Sequence, residues 1–140
     1  MDIDECIRER FLTRIRPARD LVEKELKETE YDINKARLTF EEEDYKWRIV
    51  KSYYAMFHAA RALLFALGLI EKKHFAIIAV LEDLNKKGLL ESKYANYFTS
   101  AMYSREDADY HYKYSKDTAE HELEIAEEFI DRVKKLLDKI

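Results

Sequence analysis

Ser52-Tyr53-Tyr54-Ala55-Met56-Phe57-His58-Ala59-Ala60-Arg61-Ala62-Leu63-Leu64-Phe65-Ala66 is the stretch that decides the fold. Ile49, Tyr53, Met56, Ala60, Leu63 and Leu67 recur at alternating steps of four and three, which makes one apolar stripe of a helix. The opposite side is not the charged face of a surface helix. It carries Ala55, Ala59, Ala62, Phe65 and Ala66, with Tyr54, His58 and Arg61 among them. A helix that is apolar or small nearly all round belongs at the centre, and its alanines let neighbouring helices approach closely. The reading is therefore a central helix from about Asp44 to Leu67, stopped by Gly68.

Helical patterns flank this segment on both sides. A short helix is expected over Ile3 to Thr13, with Pro17 in the first turn of the next. That second helix runs from about Pro17 to about Glu42 on the stripe Val22, Leu26, Thr29, Ile33, Ala36 and Phe40. After the central helix, a fourth covers about His74 to Lys86 with Ile77, Ile78, Leu81 and Leu84 inward. A fifth covers about Glu91 to Ser104 or Arg105, using Tyr94, Tyr97, Phe98, Ala101 and Met102. The apolar period fades over Arg105–Tyr114, which reads as a loop. Ser115 or Asp117 caps the last helix, whose stripe Ala119, Leu123, Ala126, Ile130, Val133, Leu137 and Ile140 reaches the C-terminus. The fold class is all-α, an up-and-down bundle of five or six helices in one domain over 1–140.

Composition agrees. Two glycines and one proline in 140 residues are too few turns for an all-β chain. Gln is absent while Lys and Glu are abundant, a mix enriched in thermophile proteins. The formal net charge of −4 disfavours a protein that coats duplex nucleic acid, but leaves room for a local cationic site. Cys6 is the only cysteine, so no intrachain disulfide forms and a reducing compartment is expected. Charges from Asp2 onward argue against a signal peptide, and Ala62–Ile70 is too short to span a bilayer. The expectation is a cytoplasmic protein with no membrane contact.

The chemistry-bearing stretch is Arg105-Glu106-Asp107-Ala108-Asp109-Tyr110-His111. An imidazole can exchange a proton near neutral pH, and a guanidinium can hold charge growing on a phosphate. The bland alternative is an arginine paired with Asp107 or Asp109 beside a surface histidine. Six of the ten tyrosines lie between Tyr94 and Tyr114. Tyr94, Tyr97 and Tyr103 read first as packing residues. Tyr110, Tyr112 and Tyr114, near Lys113 and Lys116, suit packing and base stacking equally. On the central helix, Lys51, Tyr54, His58 and Arg61 share one face and need polar partners. Those partners lie within the bundle or across a dimer seam. A sharper reading makes the stripe another wall of the Arg105–His111 site. The four histidines pair neither with one another nor with Cys6, so no metal site and no cofactor are expected.

The segment Ser52–Leu64 resembles the central helix of small prokaryotic HEPN-domain proteins (higher eukaryotes and prokaryotes nucleotide-binding). Arg105–Tyr110 resembles their second motif, and Ala126-Glu127-Glu128-Phe129-Ile130 fits their C-terminal helix. The resemblance implies an up-and-down bundle that forms a homodimer and pairs with a small nucleotidyltransferase. It implies that Arg105 and His111, with five residues between them, form a metal-independent RNA-cleaving site at the dimer interface. His111 would take the 2′-hydroxyl proton and Arg105 would hold the phosphate. Tyr110 and Tyr112 would position a base, and Asp109 would orient Arg105 or His111. The general acid would be the second copy's His111. Toxin members carry a modifiable Tyr two residues after the His. Lys113 holds that position here, between Tyr112 and Tyr114, which departs from the pattern.

Two classes of function stay open. One is an endoribonuclease acting on single-stranded RNA, the toxin-like half of a two-component system. The alternative is a non-catalytic adaptor that binds a nucleotide or a protein partner through the same surface, with a purely structural dimerisation bundle as its blandest form.

Overall fold

The computed structural model describes residues 1–39 and 42–140. Its element order is α1 (Ile3–Arg8), β1 (Leu12–Arg14), α2 (Arg19–Leu38), α3 (Tyr45–Ala66), β2 (Leu69–Glu71), α4 (Phe75–Lys86), α5 (Ser92–Tyr110) and α6 (Lys116–Leu137). The all-α reading holds, with six helices among the described residues. Phe40, expected on the α2 stripe, and Glu41 lie outside the described residues.

The central helix is where its pattern puts it. Asp44 caps α3 by accepting from the Trp47 N–H, and Leu67 closes it. Tyr53, Ala55, Met56, Ala59, Ala60 and Leu63 have no exposed surface. Helices α2, α5 and α6 pack around α3, and α4 packs on α5 and α1. Phe98 of α5 and Phe129 of α6 are fully buried beside Tyr53. Each such ring contributes roughly 1.5–3 kcal/mol by leaving water. On α2, Thr29, Ile33 and Ala36 are buried as expected, and the Thr29 hydroxyl donates back to the Glu25 carbonyl. Ser115 is the α6 cap: its hydroxyl accepts from the Thr118 N–H.

Three expectations fail, each for a local reason. The first helix stops at Arg8, not Thr13. Arg10 turns left-handed at φ 64°, and the Phe11 N–H returns to the Cys6 carbonyl, which closes the helix in a Schellman-type turn. The freed chain forms β1, antiparallel to β2, with Leu12 opposite Glu71 and Arg14 opposite Leu69. Pro17 does not start α2, whose N-cap is Ala18; it packs instead against the turn at Gly68. Most consequential for function, α5 runs on to Tyr110, so Arg105 is helical and not in a loop. Met102 and Ala108 continue its buried side, with polar residues between them hiding the period. Tyr112, left-handed at φ 55°, ends the segment.

Gly68 is required twice over. Its φ is +75°, and a Cβ there would meet the Ile15 carbonyl oxygen at 2.7 Å. Gly88 has the same φ with open space around it. Gly88→Ala should therefore cost about 1 kcal/mol, the left-handed penalty alone. Gly68→Ala should cost clearly more, since a backbone atom must also move. Urea denaturation of the two variants checks the order; equal midpoints would show that the β1 strap yields freely.

Candidate functional site

Arg105 sits on the inner side of α5, with its side chain 15% exposed. Its Nη2 donates to the Tyr54 hydroxyl of α3 at 2.8 Å. Its Nε lies 3.2 Å from Asp109 Oδ2 one turn along, close enough for an ion pair but off the N–H direction for a hydrogen bond. The guanidinium carbon stands 5.7, 5.4 and 5.5 Å from the ring centres of Tyr53, Tyr54 and Tyr110. Burial works against the charge, but the Tyr54 hydrogen bond and the neighbouring Tyr54, Tyr110 and Asp109 outweigh it. The pKa is held above the ordinary arginine value. Next door, the Ser104 hydroxyl donates to Glu122 Oε1 at 3.0 Å and ties this turn of α5 to α6. Glu122 is 2% exposed and its second oxygen has no partner. Burial pushes its pKa up, against the Ser104 bond.

The structure does not bring His111 to Arg105 within one chain. Six residues of helix turn a side chain about 120° away and about 9 Å along. His111 is the α5 C-cap, exposed, and its Nδ1 lies 3.1 Å from Asp107 Oδ1. Asp109 therefore faces Arg105, and Asp107 faces His111. Tyr110 and Tyr112 are 64% and 77% exposed, the latter beneath Lys46. Tyr94 and Tyr97 pack edge to face as expected, but Tyr103 is exposed and does not pack into the core.

The polar stripe of α3 divides. Tyr54 belongs to Arg105. His58 places Nδ1 2.6 Å from Glu25 Oε2 and Nε2 3.5 Å from Asp32 Oδ2, both on α2. Lys51 adds an ion pair to Asp32 at 3.7 Å. Arg61 reaches Glu25 at 3.3 Å and Glu71 of β2 at 2.8 Å, the latter again off the N–H direction. Burial raises the pKa of Asp32, opposed by Lys51 and His58, and that of Glu71, opposed by Arg61. His58 and Arg61 thus hold α2 and β2 to α3, while Tyr54 alone touches Arg105.

One residue the sequence reading passed over is His74. It is the N-cap of α4, and its Nδ1 lies 2.7 Å from the Tyr53 hydroxyl. Its ring stacks on Phe57 at 4.2 Å and on Tyr53 at 6.0 Å. The signal was weak: it needed Tyr53 and His74 to be recognised as neighbours across a turn. Among the described residues no cluster of His, Cys, Asp and Glu is arranged to hold a metal ion. Cys6 is buried, and burial raises its pKa. No helix is long and apolar enough to cross a membrane.

Comparison with known proteins bears on this arrangement. A family model described as the HEPN domain matches residues 22–136. A protein of Methanocaldococcus jannaschii named "Putative toxin MJ0605" is 36% identical, covering 79% of this chain and 84% of that protein. The UPF0332 protein PH1297 of Pyrococcus horikoshii is 40% identical, covering 61% of this chain and 59% of its own. A UPF0332 protein of Archaeoglobus fulgidus is 30% identical, covering 86% of this chain and 98% of its own.

Two stability tests follow from the buried network. His58→Ala leaves Glu25 and Asp32 facing each other across a vacated position and should cost about 1–3 kcal/mol in urea denaturation. An unchanged midpoint would show that the network is ornamental. Glu122 ionises near pH 4.3 when unfolded and later when folded. Its contribution favours the fold at low pH and is lost as pH rises from about 4.3 through the raised folded value. Glu122→Gln, which retains an acceptor for Ser104, should melt higher than the parent at pH 7 and lose that advantage near pH 4. A constant offset at both pH values would exclude a titration effect.

Proposed function

This chain belongs to the HEPN family, and from that premise we propose that it is the toxin-like half of a two-component system whose homodimer cuts single-stranded RNA without a metal. The observation that carries the reading is Arg105. It is a permanent cation, pre-positioned by Tyr54 and Asp109 in an aromatic surround, with an exposed tyrosine, Tyr110, at its rim. A guanidinium held in this way is suited to charge that develops on a phosphate.

Arg105 and His111 of one chain face apart, so the reading needs a second copy. Across a two-fold axis, one copy's Arg105 meets the other's His111. His111 then accepts the 2′-hydroxyl proton as the 2′-oxygen attacks the neighbouring phosphorus. The 5′-oxygen leaves with a proton from the other copy's His111, and a cyclic phosphate remains. Tyr110 and Tyr112 offer rings for a base. The toxin-like assignment rests on the name carried by the Methanocaldococcus relative. A small nucleotidyltransferase is the partner the reading implies. One observation favours the adaptor instead: His111 is tied to Asp107 on an open surface, with Lys113 beyond it. That surface is equally suited to holding a protein.

Purified protein should scatter light as a dimer and should cut single-stranded RNA in excess chelator. His111→Ala should slow cleavage roughly a hundredfold or more, as expected for a lost acid–base group. Arg105→Lys should also be poorly tolerated, because an ammonium lacks the planar fork. No chelator-resistant cleavage, with or without the genomic neighbour, replaces the enzyme with the adaptor. Cleavage that survives His111→Ala removes His111 from the site.

A further inference from the structure

The Tyr53–His74 pair lies directly behind Arg105 and takes no part in the reaction above. Tyr53 has no exposed surface, and the only acceptor near its hydroxyl among the described residues is His74 Nδ1, 2.7 Å away. Burial pushes the Tyr53 pKa up and keeps the phenol protonated. Burial, then Arg105 and Arg61, pull the His74 pKa down and keep the imidazole neutral. Tyr53 therefore donates to Nδ1, and His74 carries its own proton on Nε2. The Nε2–H belongs to a half-buried ring and has no partner among the described residues.

Two arginines bracket that N–H. The Arg61 guanidinium carbon stands 5.5 Å from the Phe57 ring centre, and the Arg105 carbon stands 5.7 Å from that of Tyr53. Phe57 and Tyr53 are the two rings stacked on the imidazole. Lys72 and Lys73 are exposed just before it, and the first turn of α4 carries neither an acid nor a capping side chain. Glu106 is the one acid that bears on the ring, while Glu25 and Glu71 face Arg61. Donors and cations thus converge on one side of His74.

We infer that the His74 Nε2–H, between Arg61 and Arg105, is a second phosphate subsite, which takes the backbone phosphate adjoining the one held by Arg105. The inference rests on the single-stranded RNA reading. His74 is a binding and positioning residue and stays outside the proton transfers. A strand seated there would have its register fixed relative to Arg105, because a neutral N–H with a locked tautomer accepts a phosphate in one orientation.

The test uses the full chain and an uncleavable 2′-O-methyl RNA oligonucleotide. The His74 ring nitrogens are followed by NMR through a pH titration with and without the strand. A neighbouring phosphate favours imidazolium, so the bound strand should raise the His74 pKa. Tyr53→Phe retains the Nε2–H and should bind like the parent. Tyr53→Phe/His74→Phe removes both partners, leaves no orphaned group, and should bind roughly tenfold or more weakly than Tyr53→Phe. If the strand binds but leaves the His74 titration unmoved, the subsite is wrong and the RNA reading stands; equal binding by the two variants means the same. If AMP at equal concentration reproduces the full shift, the site takes a free nucleotide, and the strand assignment is overturned. No binding of the strand by the parent protein overturns both.

Discussion

A helix buried on every side can carry a polar group only where a neighbouring element answers it, and α3 carries several. Each answer comes from a different direction: Asp32 and Glu25 from α2, Glu71 from β2, and Arg105 from α5. Leaving any of these groups unpaired inside the bundle would cost roughly 1–3 kcal/mol or more, so the pairings fix helix rotation and not only helix proximity. Apolar packing alone would let α2 slide by a turn along a surface of alanines. The His58 contacts to both Glu25 and Asp32 do not allow that, because they are specific to one register.

The same constraint builds the site. Tyr54 points out of α3 between the rings of Tyr53 and Phe57, and its hydroxyl receives Arg105. Arg105 therefore reaches its place through α3, and the order of α3 is set by the core. Glu122, buried and bonded to Ser104, holds the α5 turn from the opposite side. The site is thus a by-product of core geometry at one end and a free helix terminus at the other: Arg105 is rigid, while Tyr110, His111 and Tyr112 lie on an open rim. A rigid cation beside an adaptable rim suits a flexible strand better than a small rigid ligand.

What was legible in the chain follows from how local each cause is. The stripes of α3 and α6, the stop at Gly68 and the cap at Ser115 depend on residues within a turn of one another, and all were readable. The β1–β2 pair was not, because its partners lie far apart in sequence and Leu12 alone of β1 is buried. The continuation of α5 was hidden for a different reason. Its last turns are held by Asp109 and Asp107, charged residues that pair along the helix, so hydrophobic period carried no signal there. Of the site, Arg105 and the polar stripe were visible as residue types. The sequence offered no means of knowing that His58 and Arg61 answer α2, that Tyr54 alone answers Arg105, or that His74 lies next to Tyr53.

Arg105 must be fixed in place and still be available to a phosphate. Of its five donors, Tyr54 takes one in a well-formed hydrogen bond. Asp109 supplies charge without good hydrogen-bond geometry, on a side chain a quarter exposed. An exposed pair along one helix is worth only a few tenths of a kcal/mol, so an arriving phosphate displaces Asp109 at little loss. Tyr54 is neutral and sits on the core side, so it remains bonded throughout and keeps the fork oriented. The arrangement separates the two tasks: a phenol holds the arginine, and a carboxylate screens its charge until another anion replaces it. This also explains how a chain of net charge −4 can present an anion site. The excess acid is spread over solvated helix faces, where salt screens it, while Arg61, Arg105 and His74 act together at short range in a partly desolvated corner.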